Sequence, residues 1–426
     1  MRIAWVSPLP PSPSGVGDYS ADLLGEVSRL APTTVFTTET EWRPSTPPAP
    51  VGTDRADDPE AGQRLTVRPH TELEGALAED PELVPVYHQA NNPWHLFVYD
   101  LAIRLPGVLV LHDVVLHHLL LDRSERAKDW PPYRALLTDQ YGREQAAEIY
   151  ELRRAKAATE LDKFVFPLSG HLARRSDLVI VHSRHARSIV RMEAPGTPVR
   201  IIPHHAGRPP AAMPLSKAEV HARLGLPPDA VLIGSFGYIT IPKQGDVLLD
   251  ALAALVREGH EAYVVFVGGD QRGGEMLRQA RKRGVEDHVR FAGYLPRDEF
   301  YAYLGAVDIS VALRYPSAGE TSGTLSRALA LGTCIVAVRY GSFAELPPSA
   351  CVHVPLHGDT AGALASALRR LVSSRGLRTA IGHAAARHAA VNLPVERCAR
   401  LYVEAARAGL AMQASRAERP VRAVLK

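Results

Sequence analysis

The feature that most constrains this chain is an alternation of two periodicities. In the second half, short apolar runs rich in β-branched residues fall at Val231–Phe236, Ala262–Val267, His288–Phe291, Asp308–Ala312, Cys334–Val338 and Cys351–Val354. Between most of them lie stretches of helical period: Asp246–Arg257, Gly274–Arg283, Thr321–Leu331 and Thr360–Val372. A strand that is apolar at successive positions must be covered on both faces. Strands of that kind alternating with helices therefore predict a parallel, doubly wound α/β sheet.

The first half repeats the plan less regularly. Strands are predicted at Arg2–Val6, Thr33–Phe36, Val84–Tyr87, Val108–Leu111, Leu178–Val181 and Val199–Ile202, with helices at Asp18–Leu30 and within Tyr133–Lys163. Residues 42–62, rich in Pro, Asp and Thr, read as a surface excursion. A linker is predicted at 206–216, where Pro209, Pro210 and Pro214 follow the last strand of the first half. The expected division is a first domain over 1–205, a second over 217–392, a helix over 393–412 and a frayed basic tail over 413–426. The chain's 426 residues suit two such domains.

Each half opens as strand, glycine-containing loop and helix. Ligands of open α/β sheets bind beyond the carboxyl ends of the strands, so two such sheets facing each other predict a cleft with one ligand per side. In the first half the cleft-side candidates are Gly15, Gly17 and Asp18, with His112 and Asp113 after Val108–Leu111. An imidazole at that strand end suits a sugar hydroxyl or a proton. In the second half, Gly319-Glu320-Thr321-Ser322-Gly323-Thr324 precedes a helix that stops near Gly332. Capped by Thr321 or Ser322, that helix would aim its first amides at an anion, a contribution of about 1 kcal/mol. A diphosphate needs more charge, and Lys243, then Arg314, are the nearest candidates.

Several classes are set aside. The formal charge of +3 is too small and dispersed for a nucleic-acid partner. Cys334, Cys351 and Cys398 have no CxxC spacing, which fits a reducing, cytoplasmic setting. Histidines crowd the first half, among them those at 88, 95, 112, 117, 118, 182, 185, 204 and 205, but no HExxH pair accompanies them, and no metal is expected. The N-terminus lacks a signal pattern, and no apolar run has the length of a membrane span. The basic, aromatic stretch 130–166 leaves a peripheral contact with the inner face of a membrane open.

The ordered set of these residues resembles retaining glycosyltransferases of family four. The resemblance is carried by Arg2-Ile3-Ala4-Trp5-Val6-Ser7-Pro8-Leu9-Pro10-Pro11 with Ser14-Gly15-Val16-Gly17-Asp18-Tyr19-Ser20, and by Val110-Leu111-His112-Asp113. In the second half it is carried by Lys243 with Val247–Leu252, by Val289–Leu295, and by Glu320 through Thr333. It implies a GT-B fold, a nucleotide-sugar donor on the second domain, an acceptor on the first, and retention at the anomeric carbon without a metal or other cofactor. Lys243 would then neutralise the leaving diphosphate with the Thr321, Ser322 and Gly323 amides. Glu320 would bond the donor sugar, and His112 would lie near the reacting sugar. Tyr294 would lie at the nucleotide base, and residues 395–410 would cross back to the first domain.

The chain departs from that pattern. The family's paired glutamates fall on Gly319 and Arg327, so Glu320 is displaced by one, and its phosphate-binding arginine falls on Gly237. Arg314 or Arg327 is the replacement expected for the lost charge. The leading reading is transfer of a hexose-type sugar to an acceptor the sequence does not name. The alternative is a catalytically silent relative acting as a partner subunit.

Overall fold

A computed structural model describes residues 1–43, 64–155, 157–159 and 161–417. Among the described residues, thirteen strands form two sheets. The first contains β1 (Arg2–Val6), β2 (Thr33–Thr37), β3 (Leu65–Pro69), β4 (Leu83–Gln89), β5 (Val108–Leu111), β6 (Leu178–Val181) and β7 (Val199–Ile201). Their order is β3-β2-β1-β4-β5-β6-β7, and every pairing is parallel. The second contains β8 (Val231–Phe236), β9 (Ala262–Val267), β10 (Val289–Gly293), β11 (Ile309–Ala312), β12 (Cys334–Val338) and β13 (Val352–Val354). Their order is β10-β9-β8-β11-β12-β13, again all parallel. Both sheets are doubly wound, as the alternating periods require.

Parallel sheets of this kind have a crevice where the strand order reverses. In the second sheet that point lies between β8 and β11, which pair through Ile309 with Ile233 and Ser310 with Gly234. Helices cover both faces of each sheet. One apolar core gathers around β8–β12, and two others lie on opposite faces of the first sheet.

Chain packing divides the molecule into two units. One contains Met1–His204, Ala318–Thr321 and Val395–Lys426; the other contains His205–Ser317 and Ser322–Pro394. Residues 318–321 therefore depart from the expected run of 217–392. The amides of Val114 and Val115 both donate to the Ala318 carbonyl, at 2.8 and 3.0 Å. Gly319 has φ +78°, and a Cβ there would fall on Val114 Cγ2. Any side chain at position 319 would meet both obstacles.

Other boundaries differ for local reasons. Strand β3 escaped the sequence because Leu-Thr-Val-Arg-Pro is an edge strand with only partial burial and no continuous apolar run. The first helix starts at Gly15 rather than Asp18, so Gly15 and Gly17 form its opening turn instead of a loop. Ser14 caps it by accepting from Val16 N at 3.3 Å. A Cβ on Gly17 would lie 3.2 Å from the Leu9 carbonyl carbon, so glycine there permits helix and loop to approach. The last helix runs Val395–Ala417, so 413–417 are helical rather than frayed. It packs so closely on the first sheet that a Cβ on Gly409 would lie 2.5 Å from Val108 Cγ2. Most of the expected excursion at 42–62, and residues 418–426, lie outside the described residues. Among the described residues no helix is long and apolar enough to cross a membrane.

Candidate functional site

The second unit carries a concavity at its strand-order reversal. Ser235 and Phe236 from the end of β8 and Ser310–Ala312 from β11 form its floor, and Phe343 closes one side. Lys243, Arg314, Ser322 and Thr324 complete the lining. Sequence reasoning had named Lys243, Arg314 and Ser322. It missed Ser235, Ser310 and Phe343, whose residue types inside or between apolar runs give no signal.

Two local features place the cations. The loop after β8 ends in the single turn Ile241–Lys243, and the chain leaving β11 passes beside it, where Tyr315 N donates to the Pro242 carbonyl at 2.8 Å. Lys243 folds back so that its ammonium donates to the carbonyl of Phe236. Gly237, at φ +85°, has no side chain to obstruct this, and a Cβ there would fall on Lys243 Nζ. A larger residue at 237, arginine included, would displace the lysine.

The helix that starts at the concavity spans Gly323–Ala330. Its cap is Ser322, whose hydroxyl accepts from Leu325 N at 3.3 Å; Thr321 does not serve. The amides of the first turn remain as donors beside Lys243, where the helix end adds about half a positive charge. Arg327 faces elsewhere on this helix. Its Nε donates to the Tyr301 hydroxyl at 3.1 Å, its guanidinium lies 5.7 Å from that ring's centroid, and it does not line the concavity. The expected phosphate contact by Arg327 is therefore not what the structure shows. Tyr294, 71% exposed, stacks on Tyr238 at 6.5 Å with 26° between planes. Glu320 and Thr321 fall in the peptide that goes with the first unit.

In the first unit, Asp18 sits in the opening turn of its helix, and Asp113 Oδ2 accepts from Asn91 N at 2.8 Å. His112 is buried at the end of β5, with both ring nitrogens engaged. His182 Nδ1 lies 2.8 Å from the Ile202 carbonyl, which only accepts, so that nitrogen carries the proton. His182 Nε2 then accepts from His112 Nδ1 at 3.1 Å, and His112 Nε2 accepts from His88 Nδ1 at 3.0 Å. In all three rings the donated proton sits on Nδ1. Burial, then the neighbouring His182, pushes His112 well below the ordinary histidine range. The expected imidazole directed at a sugar is thus replaced by a ring held within a relay. Among the described residues no three His, Cys, Asp or Glu side chains converge as a metal site.

Two doubly wound sheets and a cation-lined concavity at a switch point define an α/β protein of the GT-B fold. The structure of HepE from Anabaena, solved with UDP and glucose, superposes with a TM-score of 0.62 over 95% of this chain and 98% of that one, at 16% identity. Residues 227–374, all but 318–321 in the unit that carries the concavity, match the model for the family "Glycosyl transferases group 1". Curated relatives include D-inositol 3-phosphate glycosyltransferases. That of Streptomyces bingchenggensis is 32% identical over 183 residues, covering 41% of this chain and 40% of its own. That of Streptomyces coelicolor is 30% identical over 241 residues, covering 52% and 51%. The chain thus spans two fifths to half the length of these relatives.

Proposed function

We propose that this protein is a glycosyltransferase that takes a hexose-type sugar from a nucleoside-diphosphate donor and transfers it, with retention and without a metal, to an acceptor held by the first unit. The observation that carries the reading is the concavity at the end of β8 and β11, where Lys243 and the start of helix Gly323–Ala330 face one space. Such a pair suits a leaving diphosphate: the charge that develops as the glycosidic bond breaks meets an ammonium and oriented amides already in place. The family match over the same unit and the names of the relatives support the same chemistry. Glu320 is assigned the donor-sugar hydroxyls, and Tyr294 the base. His112 receives no proton-transfer step, because both its nitrogens are committed within the relay.

The test is incubation with a panel of nucleotide sugars, UDP-glucose first, with and without candidate sugar, polyol and lipid-linked acceptors, following nucleotide release and product. Lys243→Ala and Glu320→Ala are each expected to lower turnover by at least ~10²-fold while the protein stays folded. Near-normal turnover in both variants would remove the site assignment. Silence across the panel with nucleotide binding retained would favour a non-catalytic partner subunit.

A further inference from the structure

We infer that the first unit holds a separate small-molecule site, a cavity among its helices that takes a neutral, largely apolar compound bearing one hydroxyl group. The cavity has a volume of about 540 Å³, within the range of small-molecule sites. Helices Leu96–Arg104, His117–Ala127, Pro131–Tyr141 and Gly170–Arg175 wall it, with Asp129 from the turn between the second and third. All of its lining comes from this helical layer, so the site is distinct from the carboxyl ends of the strands and independent of the donor-site reading.

Three observations define the ligand. First, Ile103, Leu120, Pro132 and Leu136 give the walls an apolar surface. Second, two buried polar side chains on the lining have hydrogen-bonding capacity to spare. Ser124 is 5% exposed, and its hydroxyl makes no hydrogen bond with any described residue. His171 is also 5% exposed; its Nε2 lies 2.6 Å from the Tyr99 hydroxyl, and its Nδ1 is buried without a partner among the described residues. Leaving such a group unpaired costs about 1–3 kcal/mol. Whether His171 Nδ1 donates or accepts depends on which way the Tyr99 bond runs, and a hydroxyl, which does both, suits either tautomer as well as Ser124. Third, the charges cancel. The lining carboxylates Asp100, Asp129 and Asp139 are matched by Arg123, Arg175 and, from just outside, Arg174. Arg123 holds Asp100 at 2.5 Å and Arg174 holds Asp139 at 2.8 Å. Burial pushes His171 down to about 4, so that ring adds no charge near neutral pH. An ionic ligand would lose its hydration here without gaining a free counter-charge.

The experiment compares four probes with one ring system, 2-naphthol, naphthalene, 2-naphthoate and 2-naphthylmethylamine, by calorimetry on the full chain. 2-Naphthol is expected to bind about 10-fold more tightly than each of the others. Ser124→Ala is expected to weaken 2-naphthol about 10-fold and to leave naphthalene unchanged, a split that a general loosening of the fold would not produce. Ala135→Trp, which adds bulk at an exposed position of the lining, is expected to abolish binding of both while the unfolding midpoint stays at the wild-type value. Ala127→Trp does the same from a different helix and serves if the first variant fails to fold. A wild-type protein that binds none of the four probes overturns the site, as does binding that survives a folded Ala135→Trp or Ala127→Trp variant. Naphthalene, naphthoate or the amine binding as tightly as 2-naphthol overturns the assignment of a neutral hydroxyl compound.

Discussion

Four imidazoles of the first unit are held neutral chiefly by burial: His95, His171 and His182 are pushed down to about 4, and His117 to about 3. Each has a folded-state value below its unfolded value of about 6.5. Their contribution to stability is therefore fully present above pH 6.5 and is lost as the pH falls below it, because the unfolded chain then binds protons that the folded chain refuses. The loss is about 1.4 kcal/mol per group for each pH unit below the unfolded value, until the folded value is reached. Between pH 7.5 and 5.5 the four together lose about 5 kcal/mol, comparable with the whole stability of many domains. His112, shifted in the same direction, adds to this.

The chain reports on the effect conveniently. All four tryptophans, Trp5, Trp42, Trp94 and Trp130, lie in the first unit, so their fluorescence follows that unit alone. Urea unfolding at pH 7.5, 6.5 and 5.5 is expected to show a fluorescence midpoint that drops steeply below pH 6.5. Circular dichroism, which also sees the second unit, is expected to retain a less acid-sensitive transition. His95→Gln, which removes one titrating group, is expected to reduce the pH slope by about 1.4 kcal/mol per unit. A fluorescence midpoint that stays level from pH 7.5 to 5.5 would refute the reasoning.

Gly319→Ala is expected to cost at least about 2 kcal/mol, combining the left-handed backbone penalty with the clash on Val114 Cγ2; an unchanged unfolding midpoint would count against the placement of residues 318–321. Ser322→Ala removes the cap of helix Gly323–Ala330 and is expected to cost about 1 kcal/mol of stability. The same change is expected to weaken nucleoside-diphosphate binding, so loss of stability with wild-type binding would detach that helix start from the anion site.

Much of the site was legible one residue at a time. Lys243 and the Ser322–Gly323 helix start were visible because strand–loop–helix order fixes where a loop residue or a cap must fall. His112 was legible as a strand-end residue and illegible as a chemical group. Its behaviour depends on His88 and His182, which lie 24 and 70 residues away in the chain. The same holds for the two arginines: Arg314 and Arg327 look equivalent in the sequence, and only the structure places one on the lining of the concavity and the other on the Tyr301 hydroxyl.

The sequence by itself determined two parallel, doubly wound sheets, because apolar runs and amphipathic periods are local properties that a strand or helix must satisfy wherever it packs. Strand order, and with it the switch point between β8 and β11, was settled only in three dimensions. So were the burial that lowers His95, His112, His117, His171 and His182, and the obstruction by Val114 at position 319. Each of these depends on contacts between residues far apart in the chain, and local periodicity carries no record of them.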